Sequence, residues 1–83
     1  MQLTYTRLLK LGRRGDDVKE LQTALIKLGY DLGSWGADGD FGSATQAAVI
    51  KFQKANGLDD DGEVGPLTVA AINKKLANKS NNQ

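Results

Sequence analysis

Acidic side chains are the residues of this chain best suited to do chemistry, and they gather in two turns of matching pattern. Residues 38–45 read Asp-Gly-Asp-Phe-Gly-Ser-Ala-Thr, and residues 61–68 read Asp-Gly-Glu-Val-Gly-Pro-Leu-Thr. Each turn leads into an Ala-Ala-aliphatic stretch, at residues 47–49 and again at residues 70–72. Carboxylates placed in this way could bind a cation, act as an acid–base pair, or accept hydrogen bonds from backbone amides of their own turn.

Calcium binding is one possible use of these turns, because duplicated Asp-rich loops followed by helices are typical of calcium modules. A calcium loop of the EF type needs an acidic residue at its last position. Counted from Asp38, that position falls on Val49. Counted from Asp61, it falls on Ile72. We therefore predict no metal site and no cofactor.

The rest of the composition lacks the residue types that most often catalyse reactions. The chain has no histidine and no cysteine, so the commonest general base, the usual partner of a nucleophilic serine and the commonest zinc ligands are missing. The acidic residues fall at turns and helix starts, where exposure and helix dipoles favour ordinary ionised carboxylates. No nucleophile-elbow, zinc-protease or phosphate-loop motif occurs. We predict no catalytic residues, and a chain that is not an enzyme.

The length and net charge of the chain exclude further classes of protein. A chain of 83 residues is one small domain, and its net charge of +1 lacks the basic excess of most nucleic-acid modules. No apolar run approaches the roughly 20 residues that span a bilayer. The first residues lack the basic and apolar regions of a signal peptide, so any export information is expected outside this chain. We predict a monomer that binds neither nucleic acid nor membrane.

Three amphipathic segments must position the turns. The first helix is predicted at residues 16–28, because its apolar residues recur at helical spacing on one face; they are Val18, Leu21, Leu25 and Leu28. The second is predicted at residues 43–55, ending at Gly57, and the third at residues 66–77, beginning with Pro66. The expected fold is all-α, a compact three-helix bundle with two similar Asp-Gly-x-x-Gly loop-helix repeats.

The domain is expected to cover residues 9–77. Residues 1–8 are predicted to be an N-terminal extension or linker, and residues 78–83 a frayed, flexible tail. Trp35, Phe41 and Phe52 are expected to supply much of the large apolar volume of the core.

The combination of motifs is more specific than any one of them. The segments concerned are residues 15–22 around the start of helix one, Leu28-Gly29-Tyr30, the two turns, Phe52-Gln53 and Asn56-Gly57-Leu58. Their order along the chain closely resembles the three-helix peptidoglycan-binding domain family. The resemblance covers residues 9–76, nearly the whole chain. It implies a non-catalytic module that binds the bacterial cell wall and is joined to a wall-degrading enzyme, in bacteria or in phage endolysins. The expected partners are therefore peptidoglycan, through its glycan strand or its stem peptide, and a tethered catalytic domain.

The ligand is expected in a shallow site between helix one, the loop at residues 30–42 and the start of helix two. Gly-rich backbone there offers amides and carbonyls suited to stem peptide or to amino-sugar acetamides. The candidate ligand-binding residues are Gln22, Tyr30, Trp35, Asp40, Thr45 and Gln46.

Each candidate has a structural alternative. Trp35 and Tyr30 could stack on a ligand or belong to the core, and the amide of Gln22 could face a ligand or bond to the backbone. Asp38 and Asp61 are expected to brace their own turns. Related domains also occur in the propeptides of matrix metalloproteinases, so the same fold could instead serve as a protein–protein interaction or structural module.

Overall fold

The computed structural model describes residues 1–81, with side chains described to Lys79. Three helices make up the bundle: α1 (Asp16–Lys27), α2 (Ser43–Ala55) and α3 (Pro66–Asn81). Within residues 1–81 there is no strand, only two isolated antiparallel bridges. The predicted all-α fold is confirmed. The third helix continues to Asn81, so residues 78–81 are helical where a frayed tail was expected, and Asn82 and Gln83 lie outside the described residues.

The first two helices end in the same way. At the end of α2, the N–H of Leu58 donates to the carbonyl of Gln53 at 2.9 Å, and Gly57 adopts a φ of 69°. This is the Schellman ending that the sequence predicts there. At the end of α1, the N–H of Tyr30 donates to the carbonyl of Leu25 at 3.0 Å. Each ending turns the chain back towards the bundle.

The core contains two of the three aromatic residues expected in it. Phe41 and Phe52 are each 1% exposed, whereas Trp35 is 83% exposed, so the prediction that Trp35 fills the core is wrong. Leu32, from the same loop, is buried at 3% exposure. The other buried apolar residues come from the three helices, from the N-terminal segment and from the second turn: Leu3, Leu9, Val18, Leu21, Ala24, Leu25, Ala48, Val49, Val64, Val69, Ile72 and Leu76.

The segment before α1 joins the two turns. Leu9 exchanges two backbone hydrogen bonds with Val64 of the second turn, at 3.2 and 2.7 Å. A few residues later, the N–H of Phe41 in the first turn donates to the carbonyl of Arg13 at 2.9 Å, and the N–H of Gly15 donates to the carbonyl of Gly39 at 3.0 Å. The segment from Leu9 to Gly15, which itself contains a turn at Leu11 and Gly12, therefore fixes both turns relative to α1.

The first eight residues also pack on the bundle. Leu3 is buried, its N–H donates to Oδ1 of Asn73 at 2.7 Å, and its carbonyl accepts from Nδ2 of the same side chain at 2.8 Å. Arg7 contacts both carboxylate oxygens of Asp17 at the start of α1, at 2.7 and 3.1 Å. The segment expected to be an extension or linker is therefore attached to α1 and α3.

Candidate functional site

Gln22, on the inner face of α1, closes the first turn. Its side chain is 1% exposed, and its Oε1 accepts the N–H of Gly39 at 2.8 Å. Its Nε2 donates to Oγ1 of Thr45 at 2.9 Å, to the carbonyl of Asp40 at 3.0 Å and to Oδ1 of Asp38 at 3.1 Å. The same Oδ1 accepts the N–H of Asp40 at 3.0 Å, which closes an Asx turn. One amide thus joins α1, the turn and the start of α2.

Gln53, on α2, repeats these contacts with the second turn. Its Oε1 accepts the N–H of Gly62 at 3.0 Å, and its Nε2 donates to the carbonyl of Glu63 at 2.8 Å. The same Nε2 donates to Thr68 Oγ1 at 3.2 Å and to Asp61 Oδ1 at 3.1 Å. Because the arrangement occurs twice, we interpret these hydrogen bonds as the contacts that position each helix against the helix before it in the chain.

The two copies differ in the loop that precedes the turn. Between Tyr30 and Asp38 the chain makes a longer excursion than between Leu58 and Asp61, and Trp35 lies on this excursion. Its indole is 83% exposed in a chain that buries both of its phenylalanines. An isolated exposed Trp forfeits the stabilisation that a large apolar side chain gains on burial. Packing in the core therefore does not account for its position.

Two open grooves meet at Trp35. The first, of about 390 Å³, lies over the start of α2 and is lined by Leu32, Trp35, Gly36, Asp38, Asp40, Gly42, Ser43, Ala44 and Thr45. The second, of about 620 Å³, lies over the start of α1 and is lined by Arg14, Gly15, Asp16, Lys19, Trp35, Asp38, Gly39 and Asp40. We call the two together the Trp35 trough. Both volumes fall in the range of small-molecule sites.

Hydrogen-bond acceptors line the shared part of the trough. The backbone N–H of Asp40 and the amide of Gln22 both donate to Asp38, and they lower the pKa of its carboxyl, which keeps it ionised at neutral pH. The carboxylate of Asp40 lies 3.5 Å from Nε of Arg14, and both side chains are at least half exposed. Donors lie close by, because α2 begins at Ser43 after an N-cap glycine, Gly42, that offers no side-chain cap, and its first amides stay free of intrahelical partners.

The structure brings three of the predicted ligand-binding residues together and separates the other three. Trp35, Asp40 and Thr45 line the trough, although the hydroxyl of Thr45 accepts a bond from Gln22 and is 3% exposed. Gln22 lies beneath the turn with its amide occupied by the brace. Ligand contact by any of these residues stays a prediction.

Tyr30 and Gln46 lie away from the trough. Tyr30 is half-buried with its ring edge-on to Phe52, at 6.0 Å between centroids and an interplanar angle of 71°. Gln46 packs over the second turn, where a Cβ built on Gly62 would lie 3.0 Å from its Cγ.

Several trough residues were outside the predicted ligand-binding set, and Asp38 was expected to brace its own turn. Asp38, Ser43 and Ala44 belong to the repeated turn, so that turn was the signal that could have found them, whereas Leu32 lies in the preceding loop. Arg14 and Lys19 reach the trough through the pairing of the N-terminal segment with the turn, which no local pattern reports. Among the described residues, no group of three acidic, His or Cys side chains converges as a metal site would require. None of the described helices is long and apolar enough to cross a bilayer.

A family model for a peptidoglycan binding domain matches residues 14–72. The chain belongs to the peptidoglycan-binding domain family. The match covers most of the bundle and includes both turns, both bracing glutamines and Trp35. The family description is that of a binding domain, and the chain is accordingly a binding module and not a catalytic unit.

Relatives of this peptidoglycan-binding domain are parts of longer proteins. The type VI secretion system spike protein VgrG3 of Vibrio cholerae is 64% identical over 76 residues, an alignment that covers 78% of this chain and 8% of that protein. A probable N-acetylmuramoyl-L-alanine amidase of Bacillus licheniformis is 45% identical over 65 residues, covering 78% of this chain and 18% of the amidase. This chain therefore spans a small fraction of the length of either relative.

A solved structure shares the fold. The crystal structure of an endolysin from Burkholderia phage AP3 superimposes with a TM-score of 0.74 at 44% identity, covering 80% of this chain and 24% of the endolysin chain. The likeness of backbone and sequence over the same region agrees with family membership.

Proposed function

We propose that this domain binds peptidoglycan through the Trp35 trough and so holds an attached wall-acting protein, such as a phage endolysin or a bacterial hydrolase, on the bacterial cell wall. The observation that carries the proposal is the exposure of Trp35 between two grooves of a peptidoglycan-binding domain. The presence of an amidase and an endolysin among the relatives supports the attachment to a wall-degrading enzyme. In this role the domain acts as a monomer, at the wall, with no affinity for nucleic acid or membrane.

The comparison between the two copies of the turn supports the choice of site. The groove beside the second turn measures about 220 Å³ and is lined by Leu8, Gln53, Leu58, Asp59, Asp61, Glu63, Gly65, Pro66, Leu67 and Thr68. It has no aromatic residue, and Pro66 removes one amide donor at the start of α3. The first copy therefore has the features of a ligand site that the second lacks.

The position of the site suits a tethered module. Met1 lies beside Lys27, Leu76 and Lys79, around the C-terminal ends of α1 and α3. The trough lies at the other end of α1, and a helix of this length measures about 18 Å. Met1 and the last described turn of α3 thus lie away from the trough. Weak binding is enough for such a module, because tethering raises the local concentration of the attached domain.

Sedimentation with purified sacculi tests the proposal. The whole chain is mixed with increasing amounts of sacculi at low and moderate salt, and the protein left in the supernatant is measured. We expect saturable depletion that persists at moderate salt, because a domain of net charge +1 gains little from non-specific ion attraction. A supernatant that keeps all of the protein at every sacculus concentration would refute the proposal.

The identity of 64% to a spike protein favours a second candidate function, that of an assembly module in a secretion or phage particle. On this alternative the trough would hold a neighbouring protein segment. The same sedimentation experiment separates the two, since an assembly module without wall affinity would stay in the supernatant.

A further inference from the structure

The Trp35 trough has the form of a passage and not of a closed pocket. The two grooves share Trp35, Asp38 and Asp40, and each extends towards a different helix start, one towards α2 and the other towards α1. A ligand lying across the indole would therefore extend in both directions. This geometry suits an internal stretch of a linear polymer better than a short chain end.

The chemistry of the trough selects between the two components of peptidoglycan. We propose that the segment crossing Trp35 is the glycan strand and not the stem peptide, an inference that rests on the proposed function. An exposed indole presents a broad apolar face, which matches the C–H face of a pyranose ring. Along the glycan, hydroxyl and acetamide N–H groups supply donors at short intervals.

The carboxylates of the trough are placed to accept those donors. Asp38 uses Oδ1 for both of its hydrogen bonds within residues 1–81, from the N–H of Asp40 and from Gln22, and Oδ2 remains for a ligand. The Asp40 carboxylate has a single, partly exposed ion pair with Arg14 in this part of the chain. Hydrogen bonds from hydroxyls to a carboxylate are stronger than those between neutral groups.

The same carboxylates disfavour a stem peptide. A stem peptide bears carboxylates of its own, whereas the glycan strand of intact peptidoglycan is neutral because its lactyl group is tied to the peptide as an amide. The trough has three acidic residues, Asp16, Asp38 and Asp40, against Arg14 and Lys19. Like charges placed face to face lower affinity. Hydrogen-bond acceptance and charge thus both favour the sugar.

An NMR titration of the whole chain tests the inference with two defined probes. One probe is a soluble tetramer of N-acetylglucosamine, which is neutral and free of peptide; the other is the free stem tetrapeptide. We expect the tetramer to shift the indole N–H of Trp35 and the amides of Gly36 and Ser43, with smaller shifts from the tetrapeptide. If the tetrapeptide shifts these signals and the tetramer does not, the glycan inference is overturned.

Asp40→Asn gives a second readout with opposite signs for the two ligands. The substitution removes a charge but leaves the backbone groups of Asp40 in the turn. For a glycan, the loss of the charged acceptor is expected to weaken binding to sacculi by about three- to fivefold. For an anionic stem peptide, the loss of a like charge would tighten binding, and tighter binding would overturn the inference.

Two further variants locate the contact. Trp35→Ala is expected to weaken binding to sacculi about tenfold or more, as the loss of a central aromatic anchor does. Leu67→Ala is the matched control, because Leu67 is also exposed, at 76%, and lies at the start of α3 beside the second turn. Equal losses for the two variants would overturn the inference. If the wild-type chain does not bind sacculi at all, the proposed function is refuted together with the inference. If it binds sacculi but the tetramer shifts none of its signals, only the glycan inference is overturned.

Discussion

Gln22 and Gln53 hold equivalent positions in the two copies of the loop-helix unit. Each is 1% exposed, each accepts the N–H of the glycine in its turn, and each donates to the threonine of the following helix. A buried side-chain amide that satisfies several backbone groups at once is costly to remove, because its partners are left unpaired. The two glutamines should therefore contribute more to stability than their polar character suggests.

Substitution of Gln22 tests this role. We expect Gln22→Ala to lower the free energy of unfolding by about 2–3 kcal/mol, because it leaves the N–H of Gly39 and the hydroxyl of Thr45 without their partner and opens a small cavity. Urea unfolding followed by circular dichroism measures the loss. Gln2→Ala, at an exposed glutamine, serves as the control and should change stability by less than about 0.5 kcal/mol. Equal effects of the two substitutions would contradict the bracing role.

The ion pair between Arg7 and Asp17 predicts a dependence of stability on pH. The side-chain hydrogen bond from Arg7, followed by the N–H of Val18, lowers the pKa of Asp17 below its ordinary 3.8. Because the folded pKa is the lower one, this contribution is complete above pH 3.8 and is lost as the pH falls through the folded value. The Asp38 carboxyl, whose pKa is also lowered, adds to the same trend.

Urea midpoints measured at neutral pH and at a series of pH values below 4 should therefore decrease with acidification. Arg7→Ala should reduce the size of this decrease, since Asp17 then titrates closer to its unfolded value. Arg14→Ala is the control, because its partner Asp40 is paired at the longer distance of 3.5 Å and is half exposed. An acid-induced decrease unaltered by Arg7→Ala would argue against the assignment.

The two aromatic residues closest to the first turn should respond in opposite ways to substitution. Phe41→Ala is expected to cost about 3–5 kcal/mol, as truncation of a fully buried aromatic residue does. Trp35→Ala should change stability by less than about 0.5 kcal/mol, because the side chain is 83% exposed. Thermal and urea unfolding of both variants checks this. A Trp35→Ala variant as unstable as Phe41→Ala would show that the indole belongs to the core.

Gly39 and Gly33 form a matched pair for the close approach of the first turn to α1. Their φ angles are nearly equal, +79° and +76°, so alanine at either position is strained to a similar extent. Only at Gly39 would the added Cβ meet another atom, the carbonyl oxygen of Gly15 at 3.3 Å, whereas the space at Gly33 is open.

Gly33→Ala is expected to cost about 1 kcal/mol from backbone strain alone. Gly39→Ala should cost about 2 kcal/mol or more, since the turn must also move away from the N-terminal segment. Urea unfolding measures both losses. Equal losses would mean that the turn can shift without disturbing the hydrogen bond from the N–H of Gly15 to the carbonyl of Gly39.

Local patterns in the sequence were sufficient to predict the three helices and the repeated turn. The starts of all three helices and the end of α2 were predicted at the residues where the structure has them, because apolar spacing, Gly57 and Pro66 act within a few residues along the chain. The pairing of Asp38 and Asp61 with amides of their own turns was predicted for the same reason. The family followed from the order of these motifs.

The tertiary structure alone decided which side chains face solvent. The sequence left Trp35 open between core and ligand, because the side of a glycine-rich loop that is buried depends on what the loop packs against. In the folded chain Leu32 of this loop is buried, and Trp35 is exposed. The bracing role of Gln22 was equally hidden, since its partners lie 16 to 23 positions further along the chain. Short-range rules fix where helices begin, whereas contacts between distant segments fix what the surface presents to a ligand.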